Sequence, residues 1–336
     1  MKILFSSYAF HPSVGGIESV SAILADEFLA AGHSVELITQ TPDSSESEWS
    51  FPVTRGPSLR RLAQLLNWSD VLFQNNISLG SLLPALCYGR PTVVVHQTWI
   101  RNVHGRLAWN DRIKRALLHH VTNVAVSDAV ARGLRVPCEI LPNPLRDDLF
   151  RIMSERNRTK SLVFVGRLVS DKGVDLLLRA LFQLKEDNLT PALSIIGQGP
   201  EEGNLRGLAA TLRIESQVTF LGQKSGEELA QLLNEHQVIV IPSRWAEPFG
   251  VVALEGIACG CVPIGSASGG LKEAIGACGL IFPNGDMQAL ARALEKALTS
   301  VDLLENFRAV APTHLLRFSA RKIASAHLRI LERIRR

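Results

Sequence analysis

No apolar run in this 336-residue chain approaches the roughly 18–20 residues that cross a bilayer as a helix. The opening stretch, MKILFSSYAFHPSVGG, also lacks the signal-peptide pattern. It has one Lys, a strand-like apolar run broken by His11-Pro12, and no small-residue cleavage site. Cysteine is sparse: the five residues Cys87, Cys138, Cys259, Cys261 and Cys278 are odd in number and scattered. Cys259-x-Cys261 is too short a spacing for a zinc knuckle, and no His-Cys cluster lies near it. These thiols are therefore expected to be buried small hydrophobes in a reducing cytosol. Two nucleotide- and metal-binding signatures are missing as well. Without a G-x-G-x-x-G fingerprint the sequence weighs against a nicotinamide or flavin enzyme. Without an Asp-x-Asp pair at a strand end, no metal and no cofactor are expected. There is no repeat below domain size and no low-complexity segment.

What is present is an ordinary globular balance, 46% hydrophobic and 20% charged, in a chain long enough for about two domains. A net charge of +4 is compatible with an anionic ligand or a membrane surface. No nucleic-acid partner is expected. A cytoplasmic location, extending to the inner membrane face, fits this reading.

Short β-branched runs alternate with helical patterns. The first set is KILFS (2–6), SVELIT (34–39), DVLFQ (70–74), TVVVH (92–96) and TNVAVS (122–127). The second is SLVFVG (161–166), ALSIIG (192–197), QVTFLG (217–222), QVIVIP (237–242), CVPIG (261–265) and GLIF (279–282). Continuous rather than alternating apolarity suits parallel strands covered by helices on both faces. The fold class is therefore α/β: two Rossmann-like, doubly wound parallel-sheet domains facing across a cleft. Residues 1–150 form the first and 151–315 the second, with a linker at about 144–160 marked by Pro142, Pro144 and the polar RIMSERNRTK. The final helix carries Ile323, His327, Ile330 and Ile334 on one face, and His327 there reads as a packed histidine rather than a ligand.

In open α/β sheets ligands bind beyond the carboxyl ends of the strands, so the loops there carry the chemistry. Gly15-Gly16 stands directly before an amphipathic helix, where free N–H groups and the helix dipole favour an anion; a simple tight turn is the alternative. His96 ends the fourth strand, where a ring directed at the cleft could donate a hydrogen bond or carry a proton near neutral pH. A packed or supporting role is the other reading. In VGRLVSDKGVD, Gly166 lets the chain turn, and Arg167 and Lys172 are spaced to grip a diphosphate unless both are solvated surface charges. Asp171 reads as a side-chain cap for the next turn or helix. Gly197 and Gly199 form a turn that a ligand could approach.

The segment SRWAEPFGVVALEGIACGC places Glu247 and Glu255 eight apart in otherwise apolar or small surroundings. A helix starting near Phe249, Gly250 and Val251 offers a further anion site at its N-terminus. Glu255 lies one turn beyond Val251, on the same face. Carboxylates repel phosphate, so the two glutamates suit vicinal hydroxyls of a ribose and a hexose. Diphosphate and two sugars together describe a nucleotide-sugar.

These residues, in this order, resemble the retaining GT-B glycosyltransferases often grouped as family 4. The likeness runs nearly end to end, through Gly15-Gly16, His96, PNPLRDDLF, VGRLVSDKGVD, IGQGPE, FLG, PSRWAEPFGVVALEGIACGCVPIGSASGGLKEAI and GLIFPNGDMQALARAL. The resemblance implies that Arg167 and Lys172 bind the diphosphate and stabilise its leaving charge. Glu247 would contact the donor sugar and Glu255 the ribose. The backbone of Phe249, Gly250 and Val251 would cradle phosphate, Gly16 would approach it from the first domain, and His96 would touch the donor sugar. It also implies a last helix, about 316–336, that crosses back onto the first domain. Two departures stand out: Asn143-Pro144 replaces the family's Asn-Gly, and Lys272 follows Leu271 where a proline is common.

The expected function is retaining transfer of a hexose from a nucleotide diphosphate sugar, UDP-glucose-like, to a saccharide or lipid-linked saccharide acceptor. Such a reaction belongs to polysaccharide or glycoconjugate synthesis. A nucleotide-sugar epimerase of the same fold and a non-catalytic sugar-nucleotide-binding protein are the alternatives. Acceptor contacts are expected from TPDSSESEWSFPVTRG and QTWIRNVHGRLAWNDRIKR. The second is basic and bears Trp99 and Trp109, features suited to a sugar or a membrane surface.

Overall fold

The computed structural model describes residues 1–13, 15–42, 49–100, 108–153 and 158–335. The chain divides into two compact units, Met1–Pro144 with Phe318–Arg336, and Leu145–Arg317.

Unit 1 contains strands β1 (Lys2–Ser7), β2 (Ser34–Thr39), β3 (Val53–Arg55), β4 (Val71–Asn75), β5 (Thr92–His96), β6 (Thr122–Ala125) and β7 (Glu139–Ile140). Its first helices are α1 (Gly16–Ala30), α2 (Leu59–Trp68), α3 (Leu79–Cys87), α4 (Trp109–Leu117) and α5 (Asp128–Leu134). The strands lie in the order β3-β2-β1-β4-β5-β6-β7, every pair parallel. Ile3 lies between Val35 on one neighbour and Val71 on the other, so the central strands are apolar on both faces and take helices on both. β3 and β7 add to the strands expected from the sequence. They have three and two residues and no buried position, too little apolar signal to separate from loop.

Unit 2 contains β8 (Lys160–Val165), β9 (Leu193–Ile196), β10 (Val218–Gly222), β11 (His236–Ile241), β12 (Val262–Ser266) and β13 (Leu280–Phe282). Its helices are α6 (Val174–Glu186), α7 (Glu202–Thr211), α8 (Gly226–Glu235), α9 (Val251–Ala258), α10 (Leu271–Ile275), α11 (Met287–Thr299) and α12 (Val301–Leu315). The sheet order is β10-β9-β8-β11-β12-β13, again parallel throughout. Phe164, Leu177, Leu181, Ile195, Val240 and Leu294 anchor a core between the sheet and its helices.

The last helix, α13 (Ala320–Arg335), belongs to unit 1, where it packs against α1, β4 and β5. Ile323, His327, Ile330 and Leu331 form its buried stripe. His327 is 2% exposed and meets Phe73 edge-on at 5.3 Å, as a packing residue would. Burial pushes its ring down to about 3, so it is neutral. Arg333 pairs with Glu139, and Arg335 with Asp70 at 3.5 Å.

All five cysteines are free. Cys259, Cys261 and Cys278 are buried as expected, whereas Cys138 is half-buried and Cys87 is exposed at the end of α3. Among the described residues, no helix is long and apolar enough to cross a membrane.

Candidate active site

Both sheets have a topological switch point, where the strand order reverses and the loops on either side diverge. In unit 1 it lies between β1 and β4, and in unit 2 between β8 and β11. The loops following these four strands hold most of the residues singled out from the sequence.

In unit 2, the loop after β8 carries Arg167 and Lys172, and the loop after β11 carries Glu247. Lys172 Nζ donates to Glu247 Oε1 at 2.6 Å, and Ser243 Oγ donates to the same oxygen at 2.6 Å. Both charged side chains are mostly shielded, at 25% and 13% exposure. This direct pairing was not expected from the sequence, which assigned Lys172 to phosphate and Glu247 to a sugar. Arg167 is exposed, and among the described residues no partner engages its guanidinium. The two cations therefore differ: one is already matched by a carboxylate, and the other is open to an anion.

The two loops are stitched together by groups that the sequence did not signal. Arg244 donates to both carboxylate oxygens of Asp175 at 2.8 and 2.6 Å, a planar two-point pairing. The N–H groups of Arg244 and Trp245 both donate to the Asp171 carbonyl. The expectation that the Asp171 side chain caps the next helix is corrected. Gly173 is the N-cap of α6, no side chain caps it, and Asp171 contributes its main-chain oxygen instead.

Glu247 is also held through its backbone. It bridges to Gly269, and its carbonyl accepts from Gly270 N at 2.7 Å. Gly269 has φ +70°, and a Cβ there would stand 2.0 Å from the Glu247 carbonyl oxygen, so only glycine fits. Ser266 Oγ, at the end of β12, donates to the Ser243 carbonyl at 2.7 Å. Loops after three neighbouring strands, β8, β11 and β12, thus fix one residue.

α9 starts at Val251 with Gly250 as N-cap, within the expected start at residues 249–251. No acceptor among the described residues takes the Gly250, Val251 or Val252 N–H, leaving donors at the positive end of the helix dipole. The Phe249 side chain is buried, so that residue can offer only backbone to a ligand. Glu255 sits one turn along and is half-buried. No side-chain donor among the described residues reaches its carboxyl, and desolvation pushes it up to about 7. Gly166 and Gly197 directly follow β8 and β9 and lie against each other. A Cβ on Gly197 would come within 1.9 Å of the Gly166 carbonyl, so this glycine is required by chain packing.

In unit 1, Gly15 is the N-cap of α1 and Gly16 its first residue. The nearest negative group is the chain's own. Glu18, buried in the first turn, accepts from Ser13 Oγ at 2.9 Å, and a Cβ on Gly15 would lie 2.7 Å from its Oε2. His96 ends β5 with its ring fully buried. Its Nε2 lies 3.0 Å from Asn123 Oδ1, while Asn123 Nδ2 donates to the Leu118 and Val121 carbonyls. That arrangement makes His96 Nε2 the donor and leaves Nδ1 without a partner among the described residues. Burial lowers the ring to about 4, which favours the neutral form near neutral pH, with Nε2 donating to Asn123. Nearby strand ends carry a buried polar chain that had no counterpart among the residues expected from the sequence. Gln97 Nε2 donates to Asn75 Oδ1 at 2.9 Å, and Asn75 Nδ2 donates to Ser21 Oγ at 2.7 Å. The Ser21 hydroxyl lies 2.7 Å from that of Ser7. The available signal was a polar residue closing each apolar run.

Of the loops expected to meet the acceptor, residues 43–48 and 101–107 lie outside the described residues. In the rest, Trp109 is 75% exposed on α4, a helix with no fully buried residue. Among the described residues, no group of three or more His, Cys, Asp or Glu could hold a metal ion.

Residues 146–314 match the family described as glycosyl transferases group 1, half of the chain and nearly all of unit 2. The chain belongs to that family. As a group 1 chain it is 37% identical to a D-inositol 3-phosphate glycosyltransferase of Stackebrandtia nassauensis over 47% of its own length and 38% of that relative's. It is thus matched along less than half of that relative. A glycogen synthase of Mycobacterium tuberculosis aligns over 89% of this chain and 86% of its own length, at 27% identity. The fold of the group 1 chain is GT-B. Anabaena HepE, solved with UDP and glucose, superposes with a TM-score of 0.82 at 20% identity, covering 99% of both chains. Sucrose-phosphate synthase of Thermosynechococcus elongatus gives 0.81 at 22% identity, covering 99% of this chain and 98% of its own.

Proposed function

We propose that the protein is a glycosyltransferase that moves a hexose from a nucleotide diphosphate sugar, UDP-glucose-like, to a saccharide or lipid-linked saccharide. The observation that carries this reading is the arrangement at the carboxyl edge of the unit 2 sheet. An open Arg167, the Lys172–Glu247 pair and the uncapped start of α9 occupy adjoining loops. The solved relative holding UDP and glucose supports the same ligand class.

In the proposed reaction the anomeric C–O bond to the diphosphate breaks, and its electron pair leaves on the phosphate. The acceptor hydroxyl forms the new bond to the anomeric carbon and passes its proton to the departing diphosphate oxygen, which has gained the electron pair. Charge builds on the departing diphosphate, so pre-placed cations and N–H groups lower the barrier most. Arg167, Lys172 and the Gly250–Val251 backbone are assigned that task, without a metal. Glu247 reads the donor sugar's hydroxyls and Glu255 the ribose. Retention of configuration and a role in polysaccharide or glycoconjugate synthesis belong to the same proposal. His96 is assigned to the donor sugar as a neutral group. Acceptor contacts are assigned to unit 1 loops, and contact with a lipid surface to α4, where Trp109 and Arg112 are exposed one turn apart.

The test is thermal shift with UDP-, GDP- and ADP-sugars, followed by an assay of diphosphate release with candidate acceptors. A true donor stabilises the fold by mass action. Stabilisation together with acceptor-dependent diphosphate release is the expected result. No shift with any donor would remove the proposal, and binding without release would reduce it to a sugar-nucleotide sensor.

A further inference from the structure

Ser243 is fully enclosed, 1% exposed, and sits directly after β11 and Pro242 at the switch point of unit 2. Its backbone is pinned by Ser266 Oγ on its carbonyl. Its hydroxyl has one described role, donation to Glu247 Oε1. Lys172 Nζ donates to that same oxygen, so Oε1 takes two donors and Oε2 takes none among the described residues.

This asymmetry has a functional consequence, resting on the donor assignment made above. Lys172 has two claims on it, the Glu247 carboxylate and the diphosphate. An ammonium group on a flexible stem can turn from one to the other, whereas a buried serine on a pinned backbone cannot. We propose that Ser243 is a positioning residue that keeps Glu247 Oε1 engaged when Lys172 turns to the diphosphate. Oε2 then stays presented to the hydroxyls of the donor sugar. Without Ser243, the carboxylate would lose its remaining fixed donor as the ligand arrives, and Oε2 would no longer be held towards the sugar.

The expected effect is specific to the sugar half of the ligand. Ser243→Ala should leave the affinity for bare UDP within twofold, because the hydroxyl touches only the Glu247 carboxylate. It should weaken UDP-glucose and slow UDP release from it by about tenfold or more, the scale of a lost hydrogen bond to a charged group. Ser243→Thr, which keeps the hydroxyl, should recover most of that loss.

The test is calorimetry with UDP and UDP-glucose, and with the GDP and ADP counterparts, on wild type, Ser243→Ala and Ser243→Thr. UDP release in water alone is measured beside it, and circular dichroism confirms folding. A loss confined to sugar-bearing ligands supports the proposal. Wild-type behaviour in Ser243→Ala overturns it, as does equal weakening of the bare diphosphate and its sugar. If the wild type binds none of these ligands, the donor assignment itself fails, and that outcome is visible before any variant is made.

Discussion

Lys172 and Glu247, seventy-five positions apart in sequence, meet at 2.6 Å across the switch point of the second sheet. Each was assigned a different part of the ligand, phosphate for the cation and sugar hydroxyls for the carboxylate. Their contact couples the two tasks, because any anion that draws Lys172 away changes the surroundings of Glu247. Glu247→Gln should therefore do more than lose one acceptor. It removes the charge partner of Lys172, so bare UDP should bind severalfold more tightly while sugar transfer falls by about 100-fold. Calorimetry with UDP, set beside donor turnover, checks both arms.

Gly269→Ala should cost both stability and activity. The new Cβ would overlap the Glu247 carbonyl, and φ there is +70°. Strain of this kind costs about 1–3 kcal/mol, and relief would move Glu247 itself. Urea unfolding should show the loss, and donor KM should rise with it.

Arg244 and Asp175 clamp the β8 and β11 loops together, yet both are partly exposed, at 42% and 32%. Arg244→Ala should therefore cost at most about 1 kcal/mol in stability. Its larger effect should be on donor KM, through the placement of Lys172. Asp175→Asn should behave alike, and the double variant should be little worse than either single one. A double-mutant cycle on KM decides this.

Protonation of Glu255 gives a calorimetric prediction. Desolvation raises its carboxyl from 4.5 to about 7, so at pH 6.5 the free protein holds a proton there. A ribose diol donates better to the ionised form, so binding should release that proton. The observed enthalpy of binding UDP-glucose, whose diphosphate has no group titrating near pH 6.5, should then vary with buffer ionisation enthalpy at that pH, and Glu255→Gln should abolish the dependence.

His327 sets part of the acid limit of stability. Its ring falls from 6.5 to about 3 on folding, so the unfolded chain binds the proton first and stability drops as pH falls below 6.5. At pH 4.5 this one residue should cost about 2–3 kcal/mol relative to pH 7. His327→Phe should flatten the fall in Tm between those two pH values.

Much of this was legible from residues alone. Apolar runs such as TVVVH and QVIVIP suit buried parallel strands, and the structure gives Thr92–His96 and His236–Ile241. The Gly-to-helix transitions at residues 16, 174 and 251 were equally plain. The edge strands β3 and β7 were not, because edges need little apolar surface. The charge pairs were not legible either. Lys172–Glu247 and Arg244–Asp175 depend on β8 and β11 being neighbours, a fact of topology that composition and spacing do not carry. His96 shows the same limit from the other side. Its place at a strand end was readable, but its neutrality follows from burial and from the way Asn123 is held by two carbonyls.

The most direct measurement is kcat/KM for the nucleotide-sugar donor in Arg167→Ala and Lys172→Ala, each against wild type with folding verified. If the carboxyl edge of unit 2 holds the departing diphosphate, each variant should lose about 100-fold or more. Values within twofold of wild type in both would contradict that assignment.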